Sequence, residues 1–94
     1  MFVRVVRFTD VPQEKVDSTL ARIDEAGGPP EGVPATGLQM LHDAGHGTAV
    51  VLQMFATAED MAAGDAAFSA MDPGDTPGTR VSVDLCELKL DLSM

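Results

Sequence analysis

Along residues 47–56, GTAVVLQMFA, apolar side chains fill both alternating sets. Val50, Leu52 and Met54 share one parity, and Ala49, Val51 and Phe55 share the other. Successive side chains of a strand point to opposite faces, so a strand with one wet face should alternate apolar with polar. Only Thr48 and Gln53 interrupt the run, which predicts a strand covered on both sides. Residues 2–8, FVRVVRF, bounded by Thr9-Asp10, predict a first strand. Asp10 is placed to cap a helix, with Gln13 as its capping-box partner and Pro12 in the first turn. Val16, Leu20 and Ile23 then recur at helical spacing and define one apolar stripe. Gly27-Gly28 and the prolines behind them end that helix.

GGPPEGVPATG reads as a crossover loop or lid, and residues 36–42, TGLQMLH, as a second strand ahead of the 47–56 strand. Thr57 caps a second helix whose first turn carries Glu59 and Asp60, where the helix dipole favours acids. Met61, Gly64, Phe68 and Met71 form its inward stripe. DPGDTPG breaks the chain by turn chemistry, and residues 79–92, TRVSVDLCELKLDL, predict a long last strand.

The order is strand, helix, strand, strand, helix, strand over a single domain, residues 1–94. This predicts the α+β class and the ferredoxin-like βαββαβ arrangement, a four-stranded antiparallel sheet with two helices on one face. Two helices cover one face only. The second apolar face asks for another sheet, and a symmetric homodimer supplies it economically. In the last strand, Val81, Val83 and Leu85 share one parity, while Cys86, Leu88, Leu90 and Leu92 share the other. Such a phase change predicts a bulge near Leu85-Cys86 or a tail that joins a partner. A simple edge strand with apolar residues on both sides is the plainer alternative.

Composition narrows the partners. Six basic residues against fifteen acidic ones give a net charge of −9, which argues against nucleic acid and anionic membranes. No apolar run approaches the ~20 residues that span a bilayer. The first residues alternate as a strand does and lack the pattern of a signal peptide. The single cysteine, Cys86, excludes an intramolecular disulfide, reads as a small buried hydrophobe and fits a cytoplasmic location. Trp, Tyr and Asn are absent.

The element order, together with the segment GTAVVLQMFATAEDMAAGDAAFSAM, resembles the dimeric α/β-barrel superfamily. Within it the chain looks like the antibiotic biosynthesis monooxygenase-like (ABM-like) domains. The resemblance implies a homodimer whose two sheets pack face to face, with a pocket between each sheet and its helices. It also implies cofactor-independent oxygenation of polycyclic aromatic, polyketide-like substrates, or haem binding as in related members. The Trp and Asn that oxygenating members set near the pocket have no counterpart here, and residues 57–71 contain no histidine for haem. No family site residue therefore carries across, and fold alone does not establish an enzyme.

Candidate chemistry is sparse. In LHDAGHG, a three-residue loop Asp43-Ala44-Gly45 with Gly45 left-handed would set His42 and His46 face to face across the hairpin. Two imidazoles and one turn aspartate fall short of a metal set, so no metal and no cofactor is expected. The histidines then lie at an exposed or interface hairpin tip, and His42 is a candidate for proton transfer. Arg4 and Arg7 have opposite parity, and each needs a carboxylate or water; Asp84 and Glu87 on the last strand are the expected partners, with an anion-binding arginine as the other reading. Gln39 and Gln53 are expected on one face, bonding across an interface or lining a pocket. Phe8, Phe55 and Phe68 bound a cavity or fill the core. The function these residues suggest is binding of a small apolar or aromatic molecule by a homodimer. The alternatives are a cofactor-free monooxygenase or isomerase and, last, haem binding.

Overall fold

The computed structural model describes residues 1–27, 33–70 and 77–93. Its elements are β1 (Phe2–Thr9), α1 (Gln13–Ala26), β2 (Gly37–Asp43), β3 (Thr48–Phe55), α2 (Ala58–Ser69) and β4 (Thr79–Glu87). The four strands form one antiparallel sheet in the order β2-β3-β1-β4. The chain is thus α+β, with a four-stranded antiparallel sheet and two helices. Among the described residues no helix is long and apolar enough to cross a membrane. Of the predicted crossover loop, residues 27–37, residues 28–32 lie outside the described residues, as does the second-helix position Met71.

Register sorts the sheet into cross-strand rows. On one face the rows are Leu38–Gln53–Arg4–Leu85, then Met40–Val51–Val6–Val83, then His42–Ala49–Phe8–Arg80. On the other they are Gly37–Met54–Val3–Cys86, then Gln39–Leu52–Val5–Asp84, then Leu41–Val50–Arg7–Ser82. Both helices lie on the first face. Val16 of α1 joins Val6, Phe8, Val11 and Ala49 in one buried cluster. Met61 of α2 joins Phe55 and Val33 in a second, with Phe2, Ala67 and Phe68 packed around it. Phe8 and Phe68 therefore belong to different clusters, and Phe55 and Phe68 share one.

Gly64 lets α2 come this close. A Cβ built on it would stand 2.5 Å from two ring carbons of Phe55, which is fully buried. Gly64→Ala should therefore destabilise the fold by about 1–2 kcal/mol, the overpacking cost exceeding the gain in helix propensity of up to ~1 kcal/mol. Urea denaturation checks this, and a raised midpoint would show that α2 has room to lift off the ring.

Several local expectations are corrected. Pro12, not Asp10, is the N-cap of α1 and makes no side-chain cap; Asp10 takes φ 55° in the turn ahead of it, and Gln13 donates to Asp17 instead. Gly27 ends α1 in the left-handed region as expected, its N–H bonded to Ile23 O. Of the α1 stripe only Val16 is buried, and Leu20 and Ile23 are exposed. The bulge in β4 is at Val81, where Arg7 faces Ser82 but Phe8 faces Arg80, and not at Leu85-Cys86. Beyond Glu87 one ladder bond continues, from Leu88 N–H to Met1 O, and Leu90 and Leu92 are exposed. Cys86 is exposed rather than buried, because it lies on the sheet face that neither helix covers.

Candidate functional site

The row Leu38–Gln53–Arg4–Leu85 carries the structure's most demanding chemistry. Arg4 alternates inward with Val6 and Phe8 on β1, so its strand position forces a guanidinium under the helix layer, where only 2% of the residue is exposed. A charge so desolvated needs an opposite charge and hydrogen bonds. Asp65 of α2 supplies the first: Arg4 Nε donates to its Oδ1 at 2.9 Å. Gln53 supplies a second acceptor, as Arg4 Nη1 donates to Gln53 Oε1 at 2.9 Å. Arginine only donates, which fixes the amide oxygen of Gln53 toward it. The Phe68 ring lies 5.2 Å from Arg4 Cζ, within cation–π range. Nη2 is buried and has no hydrogen-bond partner among the described residues.

Asp65 was absent from the expectations drawn from sequence, where Asp84 and Glu87 were the partners foreseen. Asp84 lies opposite Val5 on the uncovered face, and Glu87 lies opposite Phe2, a row beyond Arg4. The signal for Asp65 was nonetheless present. Met61, Gly64, Asp65 and Phe68 occupy positions i, i+3, i+4 and i+7, so one acid interrupts an inward helical stripe. Arg7, on the opposite face, is exposed and does not join the site.

The two glutamines also part company. Gln53 is buried under α2, whereas Gln39 pairs with Leu52 on the uncovered face. A three-residue hairpin loop would have put Gln39 opposite Ala49. The loop instead spans residues 44–47, with the left-handed φ of 64° at Gly47 and not at Gly45. The pairing slides by three residues, and an odd slide moves a side chain to the other face.

The same slide separates the histidines. His42 faces Ala49 on the helix side, half-buried, and its Nε2 donates to Val11 O at 3.2 Å. It thereby ties the hairpin to the entry of α1. It is four residues along β2 from Leu38, roughly 13 Å from the Arg4 row. His46 is exposed at the loop, where its N–H donates to Asp43 Oδ1 at 3.2 Å and its Nδ1 lies 2.7 Å from Asp43 Oδ2. Among the described residues no group of three or more His, Cys, Asp or Glu is arranged to hold a metal ion.

The bond to His46 holds the Asp43 carboxyl below its ordinary value of 3.8. A lowered carboxyl stabilises the loop above its unfolded value, and that contribution is lost as pH falls through the lower folded value. The Asp43 carboxyl should therefore titrate below 3.8 by NMR, and His46→Ala should return it toward 3.8. An unchanged midpoint in the variant would remove His46 as the cause.

Chemically, the cluster under α2 joins a guanidinium, a carboxylate and an amide, and the guanidinium engages the carboxylate. What it offers is a desolvated donor beside an aromatic ring. Comparison of the chain with protein-family models, curated proteins and solved structures returned no match.

Proposed function

We propose that this chain is a ferredoxin-like domain of the dimeric α/β-barrel type, similar to ABM-like domains. In this reading it pairs with a second copy through its uncovered sheet face and binds a small, largely apolar or aromatic molecule between the sheet and α2. The observation that carries the reading is the composition of that face. Its two central strands present Val3, Val5, Val50, Leu52 and Met54, with Leu41 and Cys86 at the edges. An antiparallel sheet that meets water on one side shows polar residues there. Here Arg7, Thr48, Gln39 and Asp84 lie around an apolar centre, the arrangement of an interface with a polar rim.

The face is four strands wide and about seven residues long, roughly 19 by 24 Å. Exposed Leu88, Leu90 and Leu92 of the tail extend it toward the ~800 Å² per partner of a standard interface. Pairing also accounts for Cys86, an apolar side chain left open in a single chain. A ligand between sheet and α2 is supported by Leu38 and Leu85, which flank Arg4 and Gln53 on the helix side and remain 44% and 49% exposed. Sedimentation at micromolar concentration tests the pairing: twice the chain mass is expected, and a monomer at that concentration overturns it.

A further inference from the structure

We propose that Arg4 Nη2 is the recognition donor for the carbonyl oxygen of a small uncharged molecule, a ketone or ester with an apolar body, bound beside Phe68 under α2. The inference rests on the apolar-ligand reading above and names the polar group such a ligand must carry.

A buried N–H without an acceptor is rare, because leaving it unmade forfeits its bond to water. Arg4 is buried to within 2–3% of its surface, two of its three nitrogens hold protein acceptors, and Nη2 alone holds none. The fork is thus half used. Its used half is fixed by a sheet neighbour, Gln53, and a helix residue, Asp65, so the remaining donor is held in a set direction before any ligand arrives. Such pre-organisation lowers the cost of binding.

Charge balance selects the acceptor. Asp65 already neutralises Arg4, so a carboxylate or phosphate at Nη2 would leave one net negative charge in a desolvated place on a chain of net charge −9. A carbonyl oxygen accepts the bond and adds no charge. Its apolar body then meets the aromatic ring of Phe68, 5.2 Å from the guanidinium.

Acetophenone, ethylbenzene and benzoate share a phenyl ring and differ in the group presented to Nη2. Each is titrated into the full chain while the Arg4 Nε–H and nearby methyl resonances are followed by NMR. Acetophenone is expected to bind about 10- to 100-fold more tightly than ethylbenzene, the worth of a bond to a charged donor, and more tightly than benzoate. Arg4→Met should erase the preference for the ketone. Asp65→Asn should reverse the order against benzoate, because it uncovers the positive charge, and this reversal carries the test if Arg4→Met fails to fold. Equal affinity for acetophenone and ethylbenzene overturns the carbonyl inference and leaves the apolar-ligand reading standing. No response to any of the three at millimolar concentration overturns both.

Discussion

Asp65→Ala should destabilise the fold by about 2–3 kcal/mol, although it removes a side chain that is about one-third exposed. The loss comes from what it leaves behind. Arg4 Nε would join Nη2 as a second orphaned donor on a guanidinium whose side chain is 3% exposed. Breaking a fully buried pair costs about 3–5 kcal/mol. The figure here is lower because the 32% exposure of Asp65 shows that water can reach the vacated position. Against a total stability of ~5–15 kcal/mol the effect is large. Urea denaturation reads it as a fall in midpoint of about 1–2 M. Replacing the whole cluster, Arg4→Met with Gln53→Leu and Asp65→Leu, should restore most of the loss, since apolar groups of similar volume replace buried ion pairs at little cost or at a gain. If the triple variant is instead as unstable as Asp65→Ala, the polar cluster is itself a source of stability. If it matches or exceeds the parent, stability does not explain the polar cluster.

How far the sequence carried this picture differs by level. Periodicity is a local property, and it located each strand and helix, including the Thr57 cap, whose Oγ1 accepts from Asp60 N–H, although the last strand ends at Glu87 and not at Leu92. Register is not local. It depends on how many residues the hairpin loop spends, and moving the left-handed glycine from Gly45 to Gly47 took Gln39 off the face of Gln53 and left His46 in the loop, no longer opposite His42. The site suffered the same way. Arg4 and Gln53 were visible as polar residues in apolar strands, but their shared row follows from the β1–β3 pairing, and Asp65 enters only through the way Gly64 seats α2 over Phe55. The bulge was foreseen in the correct strand but four to five residues late. An apolar pattern records which side chains seek cover, whereas a bulge is set by the ladder on the neighbouring strand.

Leu52→Glu should separate the proposed dimer while leaving each chain folded. Leu52 and Val5 form the middle pair of the uncovered face, between Gln39 and Asp84. In a two-fold interface every substitution occurs twice, so the variant sets two carboxylates against an apolar surface near the centre, where like charges cost several kcal/mol. Association should weaken by at least ~100-fold in Kd, and sedimentation should read a monomer where the parent is dimeric. Circular dichroism should be unchanged, because among the described residues both helices pack on the other face. Leu20→Glu, the same change of charge on an exposed position of α1, should leave the dimer intact. Each protomer carries a net charge of −9, so long-range repulsion opposes association, and added salt should tighten the parent dimer by screening it. Apolar contact gains with salt and an ion-paired interface loses, so the direction of the salt effect separates the two kinds of interface. A parent dimer that survives Leu52→Glu, or that falls apart in salt, would move the interface off this face.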